Sequence, residues 1–508
     1  MRKLNLKTLS YTLVLLVAAV LGTLATVTTL RDNRLATELD PGAERRPVVF
    51  VPGVLGSMLC RGDTIVWGTV DVLGQFPSLD LATSGDVKPC GLIREISLLG
   101  VYRQTVYGPF IDRLEAAGYE QGRTLFVFDY DWRLSIFDNA KRLAAFVDDN
   151  IPAGRRFDIV AHSMGGLIAR TYAAQEGGAA RIDRFVSAGS PWLGSVQVFD
   201  LLRNGWGLAT PMMGGVEGIR RTILSFPSML EMMPQYDGCC SDPADPTRFD
   251  TASPAAWLAL NWPGIDLDHL PDLADSSRRQ LRLHGIFEQP LPSGIEEALV
   301  IGVDQRTPQR YELAIGEGEA ALNLVTSWDG DSVVMRDSAQ LKNRIVYPTS
   351  FATHDAILSD KSVQDFVLAT LAQGPDAAMK LIPIRARSSI FTKLGDLVEL
   401  VGAAVETAQP IYGTGTTTTA VVHLRLGVDT PVDPSSLKLT VTTPDGVTRP
   451  IALAAAGELS DPANPLEQSL AGSFNTGSKT GELTLALTID DRTADPRVVT
   501  RVLPLVAR

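Results

Sequence analysis

The most informative stretch of the sequence is residues 157–167, which read FDIVAHSMGGL. A strand-like run leads into a tight turn around Ser163 and then into a helical pattern, which is the arrangement Gly-x-Ser-x-Gly with Ala161 in the first glycine position. The serine of such a turn is held in a strained conformation, and a large side chain two positions away would collide with the neighbouring strand or helix. Because alanine is nearly as small as glycine, the stretch predicts a nucleophilic Ser163 at the carboxyl edge of a sheet. The following N–H and the helix N-terminus then face developing negative charge.

Strand patterns and helix patterns alternate on both sides of this turn, over residues 47–375. The strand patterns cover 48–51, 125–128, 157–160, 185–188 and 281–286. The helix patterns cover 110–117, 139–149, 167–175 and 363–371. Such alternation predicts an α/β fold with a mostly parallel sheet that is covered on both faces. The interval 200–275 is rich in Met, Pro and Gly and does not fit the rhythm, so we interpret it as an insertion over one end of the sheet.

A nucleophilic serine needs a base, and the chain has only five histidines. His354 lies after a strand-like run at 345–347 and before the last helix, which is where this order of elements places the base. His162 is fixed beside Ser163 and is expected to point elsewhere. The other histidines fall in the insertion, in a predicted strand and in the C-terminal tail, at His269, His284 and His423.

The orienting carboxylate is expected in residues 328–334, which read WDGDSVV. Asp331 fits the pattern Asp-Gly-x-Val, with Ser332 in place of the glycine, and it precedes His354 along the chain. Asp329 is the alternative, because the register of the loop cannot be read from the sequence. The predicted catalytic residues are therefore Ser163, His354 and Asp331, with Asp329 as the second choice for the acid.

The N-terminus has the features of an export signal. Arg2, Lys3 and Lys7 precede residues 8–30, which carry no charge and are numerous enough to cross a bilayer as a helix. We interpret 1–30 as a signal sequence or, since the run is long for a signal, as an N-terminal membrane anchor, and 31–46 as a linker. The bulk of the chain is then exported: it is either anchored to a membrane or, after cleavage, secreted or periplasmic.

Four cysteines are compatible with disulfides in an exported protein and permit three connectivities. We favour a bond between Cys60 and Cys90, which flank a loop-like, Gly-rich stretch, with Cys239 and Cys240 paired to each other or free. No Cys₂His₂ or Cys₄ spacing is present, and the phosphate-binding pattern Gly-x₄-Gly-Lys-Ser/Thr is absent. We therefore expect no metal and no cofactor.

Composition limits the partners of the chain. Its 508 residues carry 46 Lys and Arg against 58 Asp and Glu, a formal charge of −12, and 45% are hydrophobic. An acidic chain of this kind argues against nucleic acid as the main partner, because phosphate binding needs clustered positive charge. The hydrophobic content excludes wholesale disorder.

The tail at 376–508 differs from the rest in being rich in Thr, Val and Pro. Leu437, Leu439 and Val441 alternate with polar residues before a Pro-Asp-Gly turn, and similar alternation recurs further along. We predict a small all-β sandwich there, after a leading linker. His423 is interpreted as structural or surface-exposed, and the partner of the tail is left unassigned.

Four segments resemble the lecithin:cholesterol acyltransferase and lysosomal phospholipase A2 family of α/β-hydrolases. They are VPGVLGS at 51–57, FDYDWRL at 128–134, SPWLGS at 190–195 and SFPSMLEMMP at 225–234. The second is similar to the family's Tyr-Asp-Trp-Arg signature and is the most specific. The resemblance covers roughly residues 47–370 and leaves out the tail, which makes the chain similar to a bacterial-type member with an extra C-terminal β domain.

The resemblance implies an acyl-enzyme mechanism on lipid esters, such as the acyl chains of phospholipids at a membrane surface. It implies that the N–H groups of Val54 and Met164 form the oxyanion hole. It also implies that residues 60–90, closed by Cys60 and Cys90, are a lid with Trp67 as the acyl-contacting aromatic residue. Arg133 is expected to hold Asp131 or a loop rather than to touch substrate. Hydrolysis and O-acyl transfer differ only in whether water or an alcohol takes the acyl group.

Two other functions compete with this interpretation. The first is a neutral-lipid or polyester esterase, against which the Tyr-Asp-Trp-Arg and cap segments argue. The second is a non-catalytic envelope-binding protein, which the presence of all three catalytic residue types disfavours.

Overall fold

The computed structural model describes most of the chain from residue 45 onward. The described ranges are 45–98, 102–206, 209–236, 239–241, 249–266, 270, 273–342, 344–350, 352–382, 388–393, 396–407, 412–426, 432, 434–456, 467–489 and 497–506. The predicted signal or anchor, most of the linker at 31–46, and His269 lie outside them. Within these ranges, no helix is both long enough and apolar enough to cross a membrane.

A six-stranded sheet occupies the centre of residues 45–382. The strands of this part of the chain are β1 (Val48–Val51), β2 (Ser57–Arg61), β3 (Thr64–Trp67), β4 (Val87–Leu92), β5 (Glu95–Leu98), β6 (Tyr102–Thr105), β7 (Leu125–Val127), β8 (Phe157–His162), β9 (Ile182–Ala188), β10 (Cys240–Ser241), β11 (Glu296–Val303), β12 (Thr307–Ala314), β13 (Ala321–Ser327) and β14 (Ile345–Ser350). The central sheet has the order β14-β11-β9-β8-β1-β7, and every neighbouring pair in it is parallel.

Helices cover both faces of this sheet. They are α1 (Gly108–Ala116), α2 (Ile136–Asn150), α3 (Met164–Gln175), α4 (Gln197–Asn204), α5 (Gly215–Leu224), α6 (Pro227–Glu231), α7 (Pro254–Ala259), α8 (Leu273–Glu288), α9 (Arg336–Ala339), α10 (Lys361–Gln373) and α11 (Pro375–Leu381). Val48 and Phe50 of β1 pack into one core with α1 and α10, whereas Val49 and Val51 pack into a second core with α2 and α3. Since successive strand residues point to opposite faces, a continuous apolar run is what a doubly covered strand requires. The predicted α/β fold is confirmed.

One predicted strand is wrong. Residues 281–286 lie inside α8, whose buried residues recur at helical spacing, while the side chain of Leu281 is 62% exposed. His284 is therefore on a helix and not on a strand. The short apolar-rich run at 281–286 belongs to a longer pattern with a 3.6-residue period, and such a run does not by itself separate a strand from a helix. The remaining strand of the central sheet is β11, just after this helix.

The predicted lid folds as a small antiparallel sheet. Strands β3, β2 and β4 pair in that order, and a 3₁₀ helix at Val70–Leu79 connects β3 to β4. The predicted disulfide is present and joins Cys60 of β2 to Cys90 of β4. Cys239 is also disulfide-bonded.

The C-terminal residues form two five-stranded sheets that enclose their own apolar core. One sheet has the order β15-β16-β18-β22-β21 and the other β17-β24-β23-β19-β20, and all pairs are antiparallel except β17 with β24. The strands are β15 (Ser388–Lys393), β16 (Asp396–Thr407), β17 (Tyr412–Gly413), β18 (Thr417–Leu426), β19 (Lys438–Thr442), β20 (Thr448–Ile451), β21 (Ala454–Ala455), β22 (Glu467–Asn475), β23 (Gly481–Ile489) and β24 (Arg497–Val506). The predicted all-β architecture of this region is confirmed. His423 lies on β18, and its Nδ1 is 3.0 Å from the Ser469 hydroxyl.

Candidate active site

Ser163 occupies the turn between β8 and α3. Its φ of 52° lies in the left-handed region that non-glycine residues rarely adopt. A Cβ on Gly165 would overlap the carbonyl oxygens of Val51 and Pro52, so only glycine fits at that position. Ala161, in contrast, is buried in β8 between β1 and β9, and its methyl group is accommodated. The turn therefore tolerates alanine on the strand side but needs glycine on the helix side.

The structure brings Ser163, His354 and Asp331 together. Nε2 of His354 is 2.9 Å from the Ser163 hydroxyl oxygen, and Nδ1 of His354 is 2.7 Å from a carboxylate oxygen of Asp331. The serine follows β8, the aspartate lies between β13 and α9, and the histidine follows β14. These are the distances at which an imidazole can take the hydroxyl proton while a carboxylate holds the other ring nitrogen.

The second carboxylate oxygen of Asp331 accepts from the backbone N–H groups of Val333 and Val334, at 3.1 and 2.7 Å. These donors fix the carboxylate so that its remaining oxygen points at His354. Asp329 is turned the other way: its side chain is 40% exposed and lies 3.4 Å from Arg336. The geometry therefore favours Asp331 over Asp329 as the partner of His354.

Burial and the negative charge of nearby carboxylates shift the pKa of His354 in opposite directions. Burial lowers the pKa of its imidazole, but the Asp331 carboxylate, by its charge and its hydrogen bond, outweighs burial, so the pKa lies above the usual 6.5. An imidazole in this position could take a proton from a neighbouring hydroxyl, and the same carboxylate would stabilise the resulting imidazolium.

The side chain of His162 contacts the backbone of His354, the predicted base. Its Nε2 is 2.9 Å from the carbonyl oxygen of His354, and its Nδ1 is 2.8 Å from the Tyr107 hydroxyl. That hydroxyl also accepts the N–H of Gly53 at 2.9 Å. Sequence reasoning did not single out Tyr107, because no motif surrounds it and its partners are distant along the chain.

The predicted oxyanion residues lie on two neighbouring segments. A Cβ on Gly53 would lie 2.9 Å from the Cβ of Ser163, which places the turn at residues 53–56 directly beside the serine. Leu55 has a positive φ of 64°, and its carbonyl oxygen accepts from the Trp67 indole at 3.0 Å. Among the hydrogen bonds of the described residues, none is donated by the N–H of Val54 or by that of Met164 at the start of α3.

An apolar pocket opens next to this turn. It is lined by Leu55, Phe76, Trp132, Leu201, Trp206, Ile223, Phe226 and Met229. Trp67 is not a lining residue, but its ring centroid lies 5.5 Å from that of Trp132, 5.7 Å from that of Phe76 and 6.0 Å from that of Trp206. It is buried against the pocket wall instead of lying on an exposed flap. No polar or charged residue lines it, but its cavity volume of about 10 Å³ is roughly that of one water molecule, so it holds no acyl chain as it stands.

Arg133 of the Tyr-Asp-Trp-Arg segment fastens the disulfide-closed loop. Its guanidinium makes two hydrogen bonds to the Asp131 carboxylate, at 2.8 and 2.7 Å. It also donates to the carbonyl oxygens of Leu79 and Val87 and to the Ser84 hydroxyl. With a side chain that is 1% exposed, Arg133 faces the protein interior, which agrees with the holding role expected for it.

Gln305 connects the acid loop to the C-terminal sheets. Gln305, in the turn between β11 and β12, donates its backbone N–H to the carbonyl oxygen of Gly330 at 3.0 Å. Its side-chain amide lies 3.4 Å from the carbonyl oxygen of Ala403 on β16. Thr307, the first residue of β12, accepts the N–H of Ser332 at 2.8 Å through its hydroxyl. Both neighbours of Asp331 are thus held by the turn that abuts β16 and by the first residue of β12.

Among the described residues, no group of three or more His, Cys, Asp or Glu side chains is arranged to hold a metal ion.

Comparison with known proteins finds a similarity to one family over part of the chain. Residues 94–263 match the lecithin:cholesterol acyltransferase family. The predicted resemblance is confirmed for this part of the chain, which contains the Tyr-Asp-Trp-Arg segment, Ser163 and the segment at 225–234. The match ends before Asp331 and His354, so their assignment rests on the geometry described above. None of the curated proteins compared matches the chain.

Several solved structures are similar to this chain. A chain of the Tle4–Tli4 complex is 14% identical, with a TM-score of 0.45, over 67% of this chain and 100% of that chain. The mature lipase BlEst2 of Bacillus licheniformis is 15% identical, with a TM-score of 0.30, over 63% and 88%. The phospholipase PlaB of Legionella pneumophila is 11% identical, with a TM-score of 0.32, over 91% and 90%.

Proposed function

We propose that this chain is a serine acyl hydrolase or O-acyltransferase that acts on the acyl chains of lipid esters, with phospholipids as the main substrate class. The observation that carries the proposal is the hydrogen-bonded series Ser163–His354–Asp331 next to an apolar pocket. The family match over residues 94–263 supports the same class of reaction.

The reaction proceeds through an acyl-enzyme. His354 takes the hydroxyl proton at Nε2 while Ser163 Oγ attacks the ester carbonyl carbon, and Asp331 stabilises the imidazolium. The carbonyl oxygen becomes an oxyanion that the N–H groups of Val54 and Met164 bind. Collapse of this intermediate expels the alcohol part of the lipid, which receives the proton from His354. Water or a second alcohol then takes the acyl group from Ser163 by the reverse sequence.

The apolar lining of the pocket favours a lipid acyl group over a short polar acyl group as the bound part of the substrate. Leu55 both lines it and belongs to the turn that carries Val54, so a chain bound there would end at the oxyanion site. Burial of each CH₂ group contributes about 0.8 kcal/mol, so an acyl chain would gain binding energy for each methylene that a widened pocket covers.

The setting we propose is a membrane surface outside the cytoplasm. A disulfide between Cys60 and Cys90 indicates an exported protein, since such bonds persist in oxidising compartments. Residues 1–30 would anchor the enzyme to the membrane or be removed to release it.

The direct test compares the full-length chain with Ser163→Ala on phospholipid vesicles, with and without an added alcohol. Mass spectrometry of the products separates free fatty acid from a new ester, and a fluorophosphonate probe reports the nucleophile. Ser163→Ala should abolish both turnover and labelling, whereas Ser473→Ala, at an exposed strand position of the C-terminal sheets, should change neither. Labelling that persists in Ser163→Ala would contradict the assignment. Activity on triacylglycerol or polyester but not on phospholipid would favour the neutral-lipid alternative.

A further inference from the structure

Three hydrogen bonds form a continuous series beneath Ser163. The Gly53 N–H donates to the Tyr107 hydroxyl at 2.9 Å, this hydroxyl lies 2.8 Å from Nδ1 of His162, and Nε2 of His162 lies 2.9 Å from the carbonyl oxygen of His354. Tyr107 is buried, and His162 immediately precedes the nucleophile. None of these bonds involves the Ser163 hydroxyl or the pocket.

The donor and the acceptor of each bond follow from the chemistry of the two outermost groups of the series. The Gly53 N–H can only donate, so the Tyr107 oxygen accepts it and uses its own hydrogen on His162 Nδ1. His162 Nδ1 is then an acceptor, which puts the ring proton on Nε2. The His354 carbonyl can only accept, and Nε2–H is the donor it needs. All the donors and acceptors of the series are matched in this one tautomer.

The series holds its form over a wide pH range. Burial, followed in size by the charge of His354, lowers the pKa of His162 to about 3, so its ring stays neutral wherever the enzyme works. Burial also raises the pKa of Tyr107 far above its usual range, so its hydroxyl keeps its hydrogen.

The ends of the series are the two segments that must be aligned with Ser163. Gly53 precedes Val54, and a Cβ on Gly53 would come within 3.0 Å of the His162 ring and 2.9 Å of the Ser163 Cβ. His354 is fixed at its carbonyl oxygen by His162 and at its N–H by the Asp331 carbonyl oxygen, 2.7 Å away. A shift of either segment would move an oxyanion donor or the base relative to the serine.

We propose that Tyr107 and His162 are positioning residues that hold the oxyanion turn and the base loop in register around Ser163. They act through other residues and do not touch the substrate. The inference rests on the proposed function, because it assigns them a part in the same reaction.

Tyr107→Phe tests the first half of the series. The substitution removes one oxygen, leaves the Gly53 N–H without its acceptor and leaves His162 without its donor. We expect kcat to fall by about 10-fold to 100-fold with KM changed less than about 3-fold, because the lost alignment acts on the transition state. Tyr236→Phe is the matched control: its hydroxyl donates to the Gln309 carbonyl oxygen at 2.6 Å, away from the site, and kcat should stay within about 2-fold.

Substitutions of His162 separate its two bonds. His162→Asn keeps an acceptor near the position of Nδ1, His162→Gln keeps a donor near the position of Nε2, and His162→Leu keeps neither. We expect His162→Leu to lose the most kcat and the two amides to recover part of it. The double variant Tyr107→Phe with His162→Leu should be little worse than His162→Leu alone, since both changes break one series.

The rate of fluorophosphonate labelling at Ser163 should fall in parallel with kcat, and thermal unfolding shows how much of the chain is folded. The inference is overturned if the folded Tyr107→Phe and His162 variants label and turn over at the rate of the wild type, or if their losses match the loss of folded protein. Should Tyr107→Phe not fold, the His162 amides decide the question by the same criteria. A wild-type chain that neither labels nor turns over lipid esters overturns the proposed function, and with it this inference.

Discussion

Both the backbone and the side chain of His354 are hydrogen-bonded to Asp331. Its backbone N–H donates to the Asp331 carbonyl oxygen at 2.7 Å, and its ring Nδ1 lies 2.7 Å from the Asp331 carboxylate. The backbone and the side chain of His354 are thus both held by Asp331. The orientation of the base is therefore coupled to the conformation of the acid loop.

This contact predicts the pH profile. The base must be neutral to accept a proton, and its pKa is raised above 6.5, so kcat/KM should decline as the pH falls through a midpoint above 6.5. In Asp331→Asn the charge is lost and burial dominates, so the midpoint should move below 6.5. The rate at the plateau should fall by on the order of 10³-fold to 10⁴-fold. Asp329→Asn is the control; a larger loss in that variant would show that Asp329 is the acid.

Ser332 occupies a backbone conformation that suits glycine. Its φ is 84°, and the related Asp-Gly-x-Val pattern has glycine there. Ser332→Gly should therefore retain activity and raise the free energy of unfolding by up to about 1 kcal/mol, because the relief of strain exceeds the greater entropy of the unfolded chain. Ser332→Val should lower the free energy of unfolding. A Ser332→Gly variant that is less stable and less active in thermal and kinetic measurements would contradict this account of the loop.

Gly189 lies against the acid–base pair. Its φ is 60°, and a Cβ there would come within 3.0 Å of the Asp331 carboxylate and 3.1 Å of His354 Nδ1. Gly189→Ala should separate the pair and lower kcat by about 10-fold or more. Gly154→Ala is a matched control, because Gly154 has a φ of 79° but no atoms within 4 Å of the added methyl. It should lower the melting temperature and leave kcat unchanged.

Arg133 should not be replaceable by lysine. Its planar guanidinium serves Asp131, Leu79, Ser84 and Val87 at once, which an ammonium group cannot do. Arg133→Lys should destabilise the disulfide-closed loop by about 3 kcal/mol, because buried acceptors lose their donors. Limited proteolysis should then cut within residues 60–90. Arg123→Lys, at an exposed ion pair, should leave the proteolysis pattern as it is. Resistance of Arg133→Lys to cleavage would mean that the loop is held by other contacts.

Gln305 connects the acid loop to β16. Gln305→Ala removes the amide that reaches Ala403 and should lower kcat several-fold while leaving KM within about 2-fold. Arg306→Ala, in the same turn, removes an exposed hydrogen bond to the Thr326 hydroxyl at 3.2 Å and a partly exposed 3.6 Å ion pair with Glu406, which contributes less than about 1 kcal/mol. Equal effects of the two substitutions would argue that the contact with the C-terminal sheets does not reach the acid loop.

Local patterns predicted the parts of the site that local chemistry determines. The turn at Ser163 has a small-residue requirement that can be read within five residues, and the scarcity of histidine left His354 as the expected base. Asp331 and Asp329 could not be separated in the same way, because their difference depends on the N–H groups of Val333 and Val334 and on Arg336. Those contacts arise only when the loop is folded.

The errors and omissions have a common physical origin. The pattern at 281–286 predicted a strand because a short apolar-rich run is shared by a buried strand and by a segment of an amphipathic helix. Tyr107 was missed because its partners, Gly53 and His162, are 54 and 55 residues away. Contacts between distant segments are set by the sheet order β14-β11-β9-β8-β1-β7, which the alternation of elements does not specify.

The sheet order also bears on how the chain folds. Ser163 and His354 are 191 residues apart, and the strand that delivers His354, β14, is at the sheet edge and pairs with β11 alone among the described strands. Parallel pairing over such separations is slow, because the entropy of closing long loops is lost before the contacts are gained. Catalytic competence is then the last property that a nascent or refolding chain acquires. In refolding from denaturant, esterase activity should lag behind the recovery of helical circular dichroism.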